Sequence, residues 1–304
     1  MGQRLQSAME YLITYGWAIL AISIALGSLS LLGVFNADNY TPKQLAGSCY
    51  VQRNVVNVYL VGTCNKGLPK FVASFNGKNA YINLGNTATM SPEAGATGNM
   101  TLCLWYRIIS TSNYYGPILK GMAPPSSGNG WEYTIDQQGG SHSFVIWNSG
   151  GANIAGGGSG KSNVANVWGF ACFAYDYANS VAYYFYNATQ YSVSFNGANG
   201  PASQKTGNLV VGAGEGPGAG QGYSNIQAAN LQLYNRSLTQ GQIYALYQEG
   251  IGGAPVTLQY LLGWWPMNGD AIDYSGNNNN GNAINVSWST TWYNSYSPPI
   301  STAS

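Results

Sequence analysis

The chain has 304 residues, enough for one large domain or two modest ones with a buried core. Charged residues make up only 7% of it, against roughly 25% in ordinary soluble proteins, and Gly, Asn, Ser and Tyr fill the gap. A net charge of +1 with no basic cluster argues against a nucleic-acid partner and against electrostatic binding to a membrane surface.

The first predicted element is a helix, opened by QSAMEYLITYGWAIL at residues 6–20. Residues 12–35 carry no charge, and these 24 residues reach about 36 Å as a helix, enough for the ~30 Å core of a bilayer. Arg4 precedes the span and no basic residue follows before Lys43. That asymmetry places the N-terminus in the cytoplasm and the bulk of the chain outside. Gly27, Ser28, Ser30 and Gly33 permit close approach of another helix. Glu10 is the odd residue here: a carboxylate beside lipid marks function, unless it sits wet among the headgroups.

After a polar linker, YVQRNVVNVYLVGT runs between Cys49 and Cys64, a hairpin that a bond between them would staple. From residue 71 onward short runs alternate between Gly, Asn, Ser and Pro turns: FVASFNG, AYINLG, MTLCLWYRI, WEYTI, HSFVIW, VWGFACFAY, AYYFYN, LVVGAG and ANLQLYN. Many short strands with such punctuation predict an antiparallel sandwich or barrel. Cys103 and Cys172 fall in two of these strands, either bonded or as two buried thiols. Four cysteines suit two disulfides outside the cytoplasm. LTQGQIYALYQEG predicts one short helix, capped by Thr239, ended at Gly250, with Ile243, Leu246 and Tyr247 on one face. The asparagine run at 277–280 reads as a compact turn. Sequons at Asn39, Asn99, Asn187, Asn235 and Asn285 are candidate glycosylation sites of an exported chain.

The N-terminal pattern QSAMEYLxTYGWAIL resembles the class III signal peptide and assembly helix of archaeal type IV pilin-like proteins. The resemblance implies a leader over residues 1–5, cut between Leu5 and Gln6, and a hydrophobic assembly or transmembrane helix over residues 6–36. Glu10 then becomes the fifth mature residue and pairs with the freed amine of a neighbouring subunit. Leu5 stands where that family has a small residue, and a cut after Gly2 would make Glu10 the eighth. The remainder carries SFNGKNAYINLGN, MTLCLWYRI, WEYTIDQQGGSHSFVIW, WGFACFAYD, LVVGAG, LQLYNRSLTQGQIYALYQEG and LLGWWPMNGDAIDYSGNNNNGNA. It resembles laminin-G-like domains of the concanavalin A-like lectin/glucanase superfamily. The resemblance implies a mainly β fold, an antiparallel two-sheet jelly-roll sandwich over residues 71–304, behind a linker and disulfide hairpin at 37–70. GWWPMNGDAIDYSGN usually opens such a domain and here closes it, as a circular permutation would. On that layout the CLWYR and ACFAY strands lie close, which favours a Cys103–Cys172 bond. Such domains often hold calcium, for which Asp270 and Asp273 are the candidate ligands; the alternative is a structural turn without metal.

Glycosidases of this superfamily need two carboxyl groups ~5–5.5 Å or ~6.5–9.5 Å apart, and carry E-x-D-x-E or E-x-D-x-x-E on one strand. The chain has neither motif. Glu132 and Asp136 share a strand face but stand about 13 Å apart. AGGGSGKS, residues 155–162, imitates a phosphate loop, yet Ala155 replaces the first Gly and a strand follows; it reads as an inter-strand loop. His142, the sole histidine, has no Ser/His/Asp or Cys/His set around it to orient it and reads as a turn residue. Trp131, Trp147, Trp168, Trp264 and Trp265 are candidate sugar platforms whose alternative is core packing.

The sequence therefore predicts a non-enzymatic surface subunit, type IV pilin-like or membrane-anchored. It would display a lectin-like sandwich for adhesion to glycans, with other subunits and the membrane as partners of its helix. A single-pass surface lectin that never polymerises is the first alternative, and a glycoside hydrolase the second.

Overall fold

A computed structural model describes residues 2–31, 49–54, 57–62, 64, 67–110, 118–120, 130–135, 142–148, 150–158, 164–202, 207–213 and 222–299. The chain divides into two units, 1–43 and 44–304. In the first, α1 (Gly2–Leu31) is one uninterrupted helix, rich in Ala, Leu and Ile and free of proline. Its side chains are described over 14–28, where Tyr15, Trp17, Ile19, Ile22, Ile24 and Leu26 are all exposed. Apolar groups therefore lie on opposite sides of the helix rather than along one stripe. The hydroxyls of Ser23 and Ser28 donate back to the carbonyls of Ile19 and Ala25 at 2.8 Å, which masks their polarity. No helix among the described residues is long and apolar enough to cross a membrane. Leu5, Gln6 and Glu10 lie on α1, their side chains outside the described residues, and Asn39 falls outside them altogether.

The second unit is built of strands, in chain order β1 (Tyr50–Arg53), β2 (Val58–Val61), β3 (Val72–Ser74), β4 (Tyr81–Asn83), β5 (Asn99–Ile108) and β6 (Ile118–Lys120). There follow β7 (Gly130–Ile135), β8 (His142–Trp147), β9 (Asn153–Gly158), β10 (Trp168–Asp176), β11 (Val181–Tyr186) and β12 (Thr189–Ser192). The last six are β13 (Ser194–Phe195), β14 (Leu209–Val211), β15 (Ile226–Tyr234), β16 (Leu261–Trp265), β17 (Asn282–Ile284) and β18 (Ser287–Ser289), with α2 (Gln240–Glu249) after β15. Strands β1 and β2 pair as a hairpin, which the Cys49–Cys64 disulfide closes.

The others form two eight-stranded antiparallel sheets. The first runs β12-β11-β10-β5-β15-β3-β18, with β16 beside β15; the second runs β13-β9-β8-β7-β6-β14-β4-β17. Period-two alternation fixes which residues of the second sheet face the first. Ile82, Ile118, Trp131, Phe144, Ile146 and Val211 point inward and are fully buried among Leu102, Leu104, Phe173 and Leu231 of the first sheet. Phe144 stacks on Phe173 at 3.6 Å between ring centroids.

The first sheet is covered on its other face too. Trp105, Phe170, Phe185 and Ala229 pack there against Ile243 and Leu246 of α2, Val51 of the hairpin, and Trp292. This explains why β5 and β15 are buried almost without alternation. The Cys103–Cys172 bond lies on the same face, between directly opposed residues of β5 and β10. Helix α2 starts with a reciprocal cap: Gln242 N–H donates to Thr239 Oγ1, and Thr239 N–H to Gln242 Oε1. It ends at Gly250, whose φ of 77° suits glycine.

Two sequence expectations are corrected here. His142 is no turn residue: it opens β8, shares the inward parity of Phe144 and Ile146, and is buried. Residues 155–158 of the phosphate-loop imitation are part of β9 rather than a loop, while 159–162 lie outside the described residues.

Candidate functional site

Among the described residues both faces of the first sheet are covered, and the outer face of the second is the candidate, although its Glu132 and Val210 are themselves buried. Its residues follow from parity. Opposed partners make one continuous row across the sheet: Gly156, Val145, Glu132, Leu119, Val210, Asn83 and Asn282. Glu132, on β7, is the third of these seven and is 8% exposed. Trp147 of β8 stands two residues along from Val145 on the same face, half-buried. At the opposite side Tyr81 of β4 lies against Tyr223, ring centroids 6.2 Å apart. Asn83 Oδ1 accepts the backbone N–H of Gly85 at 2.9 Å, which fixes its amide. Among its described residues the face carries the buried carboxylate of Glu132, half-buried aromatic rings and amide side chains.

Directly beneath, the inner face of the same sheet holds a buried polar network. Tyr106 Oη and His142 Nδ1 share a hydrogen bond at 2.7 Å, and Tyr133 Oη reaches the same nitrogen at 3.2 Å. Tyr133 is bonded to Tyr184 Oη at 3.3 Å, and the His142 ring stacks on Tyr186 at 4.6 Å. Burial lowers the His142 pKa to about 4, so the imidazole is neutral at ordinary pH. Burial first, then the neighbouring phenols, holds the Tyr106 and Tyr133 hydroxyls well above their usual range. These groups lie between the sheets, where a substrate has no access, so the network is structural.

The other sequence candidates fall in separate places. Asp273 is buried and accepts four hydrogen bonds. Oδ1 takes the N–H of Trp264 (3.0 Å) and Ser275 (2.8 Å); Oδ2 takes Ser275 Oγ and Asn279 N–H (2.9 Å each). Asp270 accepts from Ile272 N–H and Tyr274 Oη. The Asp273 carboxylate organises the 264–280 turn with protein donors, and no group of three His, Cys, Asp or Glu suited to a metal occurs among the described residues. Asn230 has φ 52° and accepts from Trp264 Nε1 (2.8 Å) and Gln232 Nε2 (3.0 Å). Its own Nδ2 donates to the Gly253 carbonyl at 2.8 Å.

Trp131, Trp168, Trp264 and Trp265 are buried, which leaves Trp147 as the half-buried member of that set. Among the sequons, Asn99 Nδ2 donates to Asp176 and its Oδ1 accepts from Ser237 N–H. Asn187 Oδ1 accepts from Phe170 N–H. Asn235 and Asn285 are exposed. Asp136 lies outside the described residues. Glu93 is in the core, Glu132 on the outer face, Asp176 at the end of β10 and Glu249 at the end of α2.

Residues 76–244 match the laminin G family model described as the concanavalin A-like lectin/glucanases superfamily. The chain belongs to that superfamily. Among solved structures, a Bacteroides ovatus protein provisionally described as carbohydrate binding superposes with a TM-score of 0.54 at 13% identity. That match covers 78% of this chain and 64% of the other, so the chain spans under two thirds of its relative. The CBM40 module of a Ruminococcus gnavus sialidase, bound to α2,3-sialyllactose, gives 0.47 at 16% identity, over 59% of this chain and 97% of the module. A pentraxin from Limulus polyphemus gives 0.45 at 14% identity, over 62% and 85%. No curated protein sequence matches the chain. At these identities the structural likenesses speak for the superfamily sandwich alone.

Sequence reasoning missed the row through Glu132 because it needs strand register. The parity of WEYTI, with Trp131 and Tyr133 inward, already put Glu132 on the opposite face. Lys120 was missed as well. It ends the apolar triplet ILK at inward parity with Ile118, and it is fully buried.

Proposed function

We propose that this chain is a surface subunit whose sandwich binds carbohydrate through the outer face of its second sheet, without catalysis. The observation that carries the reading is that face on a superfamily sandwich, with Glu132, Trp147, Tyr81 and Asn83 together. Sugar hydroxyls donate to carboxylates and accept from amides, while the C–H faces of the ring lie on aromatic side chains. The Bacteroides ovatus protein, provisionally described as carbohydrate binding, favours the same ligand class. Two disulfides suit an oxidising, extracellular setting.

In the same proposal α1 anchors the chain and packs against the helices of other subunits, as its pilin-like sequence implies. Exposed apolar side chains on opposite sides of α1 need cover, from lipid or from neighbouring helices. The candidate cut between Leu5 and Gln6, with Glu10 pairing to the new amine, belongs to this reading. A glycan array probed with the full chain tests the ligand class. Binding should fall about tenfold or more in Glu132→Gln and in Trp147→Ala, with thermal stability within a few degrees of the parent. An array silent for the folded parent chain would overturn the carbohydrate reading.

A further inference from the structure

Lys120 is the one lysine of the described core, and its surroundings are unusual. Its side chain points between the sheets at the end of β6, opposed by Trp131 of β7 and Leu209 of β14, all three fully buried. The amine Nζ donates to Asn86 Oδ1 at 2.7 Å and to the Gly207 carbonyl at 3.1 Å. Glu93, also fully buried, lies near enough for its charge to act on both Lys120 and Tyr175. A buried amine, a side-chain amide in contact with it, and a buried carboxyl group are the three parts of an amide-exchange reaction.

From this geometry we infer that Lys120 and Asn86 form an intramolecular isopeptide bond, with Glu93 relaying the proton. The lone pair of Nζ attacks Cγ of Asn86, a new C–N bond forms, and the bond from Cγ to Nδ2 breaks. The proton lost by the amine passes through the Glu93 carboxyl to the departing nitrogen, which leaves as ammonia. No electrons are gained or lost, no co-reactant is consumed, and Glu93 ends as it began. Contact in the fold replaces a bimolecular encounter, and desolvation makes the amine nucleophilic. Burial supports this by lowering the Lys120 pKa to about 8, against the raising influence of Glu93, so neutral amine is available near neutral pH. Asn86 itself stands at the exposed rim, which gives the released ammonia an exit.

The consequence is mechanical. β14 lies between β6 and β4 in the second sheet, and Asn86 follows β4 shortly after its end. The bond would clamp β6 to the far side of β14, in the sheet that bears the Glu132 row and next to β7, which carries Glu132.

Intact mass and fragment analysis of the full chain, purified folded under oxidising conditions, tests the inference. The parent chain should be lighter than its sequence by one ammonia, beyond the hydrogens lost to its two disulfides. Its digest should contain one fragment pair joined through Lys120 and Asn86. Asn86→Asp should join with loss of water instead; Asn86→Ala, which takes one of its two acceptors from buried Lys120 and so should be less stable, should keep its full mass in its folded fraction. Glu93→Gln should slow or prevent joining. A folded parent chain that keeps its ammonia, or a crosslink that persists in Asn86→Ala, overturns the inference.

Discussion

His142 shows how much one residue's environment decides. As the sole histidine, it can be isolated from every other titration. In the unfolded chain it takes up a proton near the ordinary 6.5, and in the fold only near 4, because burial opposes the charge. Between those values the unfolded chain binds the extra proton, so acidification favours unfolding. The loss begins below the upper value, is complete near the lower one, and amounts to about 3 kcal/mol. His142→Phe removes the titrating group and leaves Tyr106 Oη with a lost partner. The variant should be less stable at neutral pH yet much flatter across this window. Urea midpoints of both proteins at about pH 7 and about pH 4 measure the difference. An equal acid slope in the two would show that His142 is not the group responsible.

At the scale of elements, the strands were legible and their surroundings were not. HSFVIW and WEYTI alternate, and Phe144, Ile146, Trp131 and Tyr133 occupy the inward phase of that alternation. His142 shares that phase, and the turn reading overlooked it. MTLCLWYRI and IQAANLQLY hardly alternate, because α2, the hairpin and Trp292 cover the second face of their sheet. No local pattern says which distant segment supplies such a cover. Asn230 was equally opaque: its left-handed conformation belongs to the irregularity between Ala229 and Gln232, where β15 shifts register against β5.

The Cys103–Cys172 bond sits inside that doubly covered sheet and closes a loop with a sequence separation of 69. Chain entropy assigns such a link about 4 kcal/mol. Replacing both cysteines by alanine should lower the unfolding free energy by at least that amount, with a further cavity cost. Denaturant titration of the double variant checks this, and an unchanged midpoint would mean that the unfolded chain gains nothing from being freed.

At the scale of the whole molecule, division at residue 43 separates two kinds of solvation problem. The sandwich hides its apolar groups within its own layers and shows a surface poor in charge but rich in polar side chains. The described part of α1 leaves Tyr15, Trp17, Ile19 and Ile22 exposed and must find cover elsewhere. A chain beginning at residue 44 should therefore fold, form both disulfides, melt within a few degrees of the parent, and stay monomeric without detergent. The full chain should need detergent, or assemble through α1. Within that assembly Glu10→Ala should abolish filaments, or any other ordered oligomer, while leaving the melting of the sandwich unchanged. Sedimentation and electron microscopy of the three proteins separate the outcomes. A full chain that stays monomeric without detergent would remove α1 from both anchoring and assembly. Ordered filaments from Glu10→Ala would leave α1 its anchoring role but take the charge pairing out of assembly.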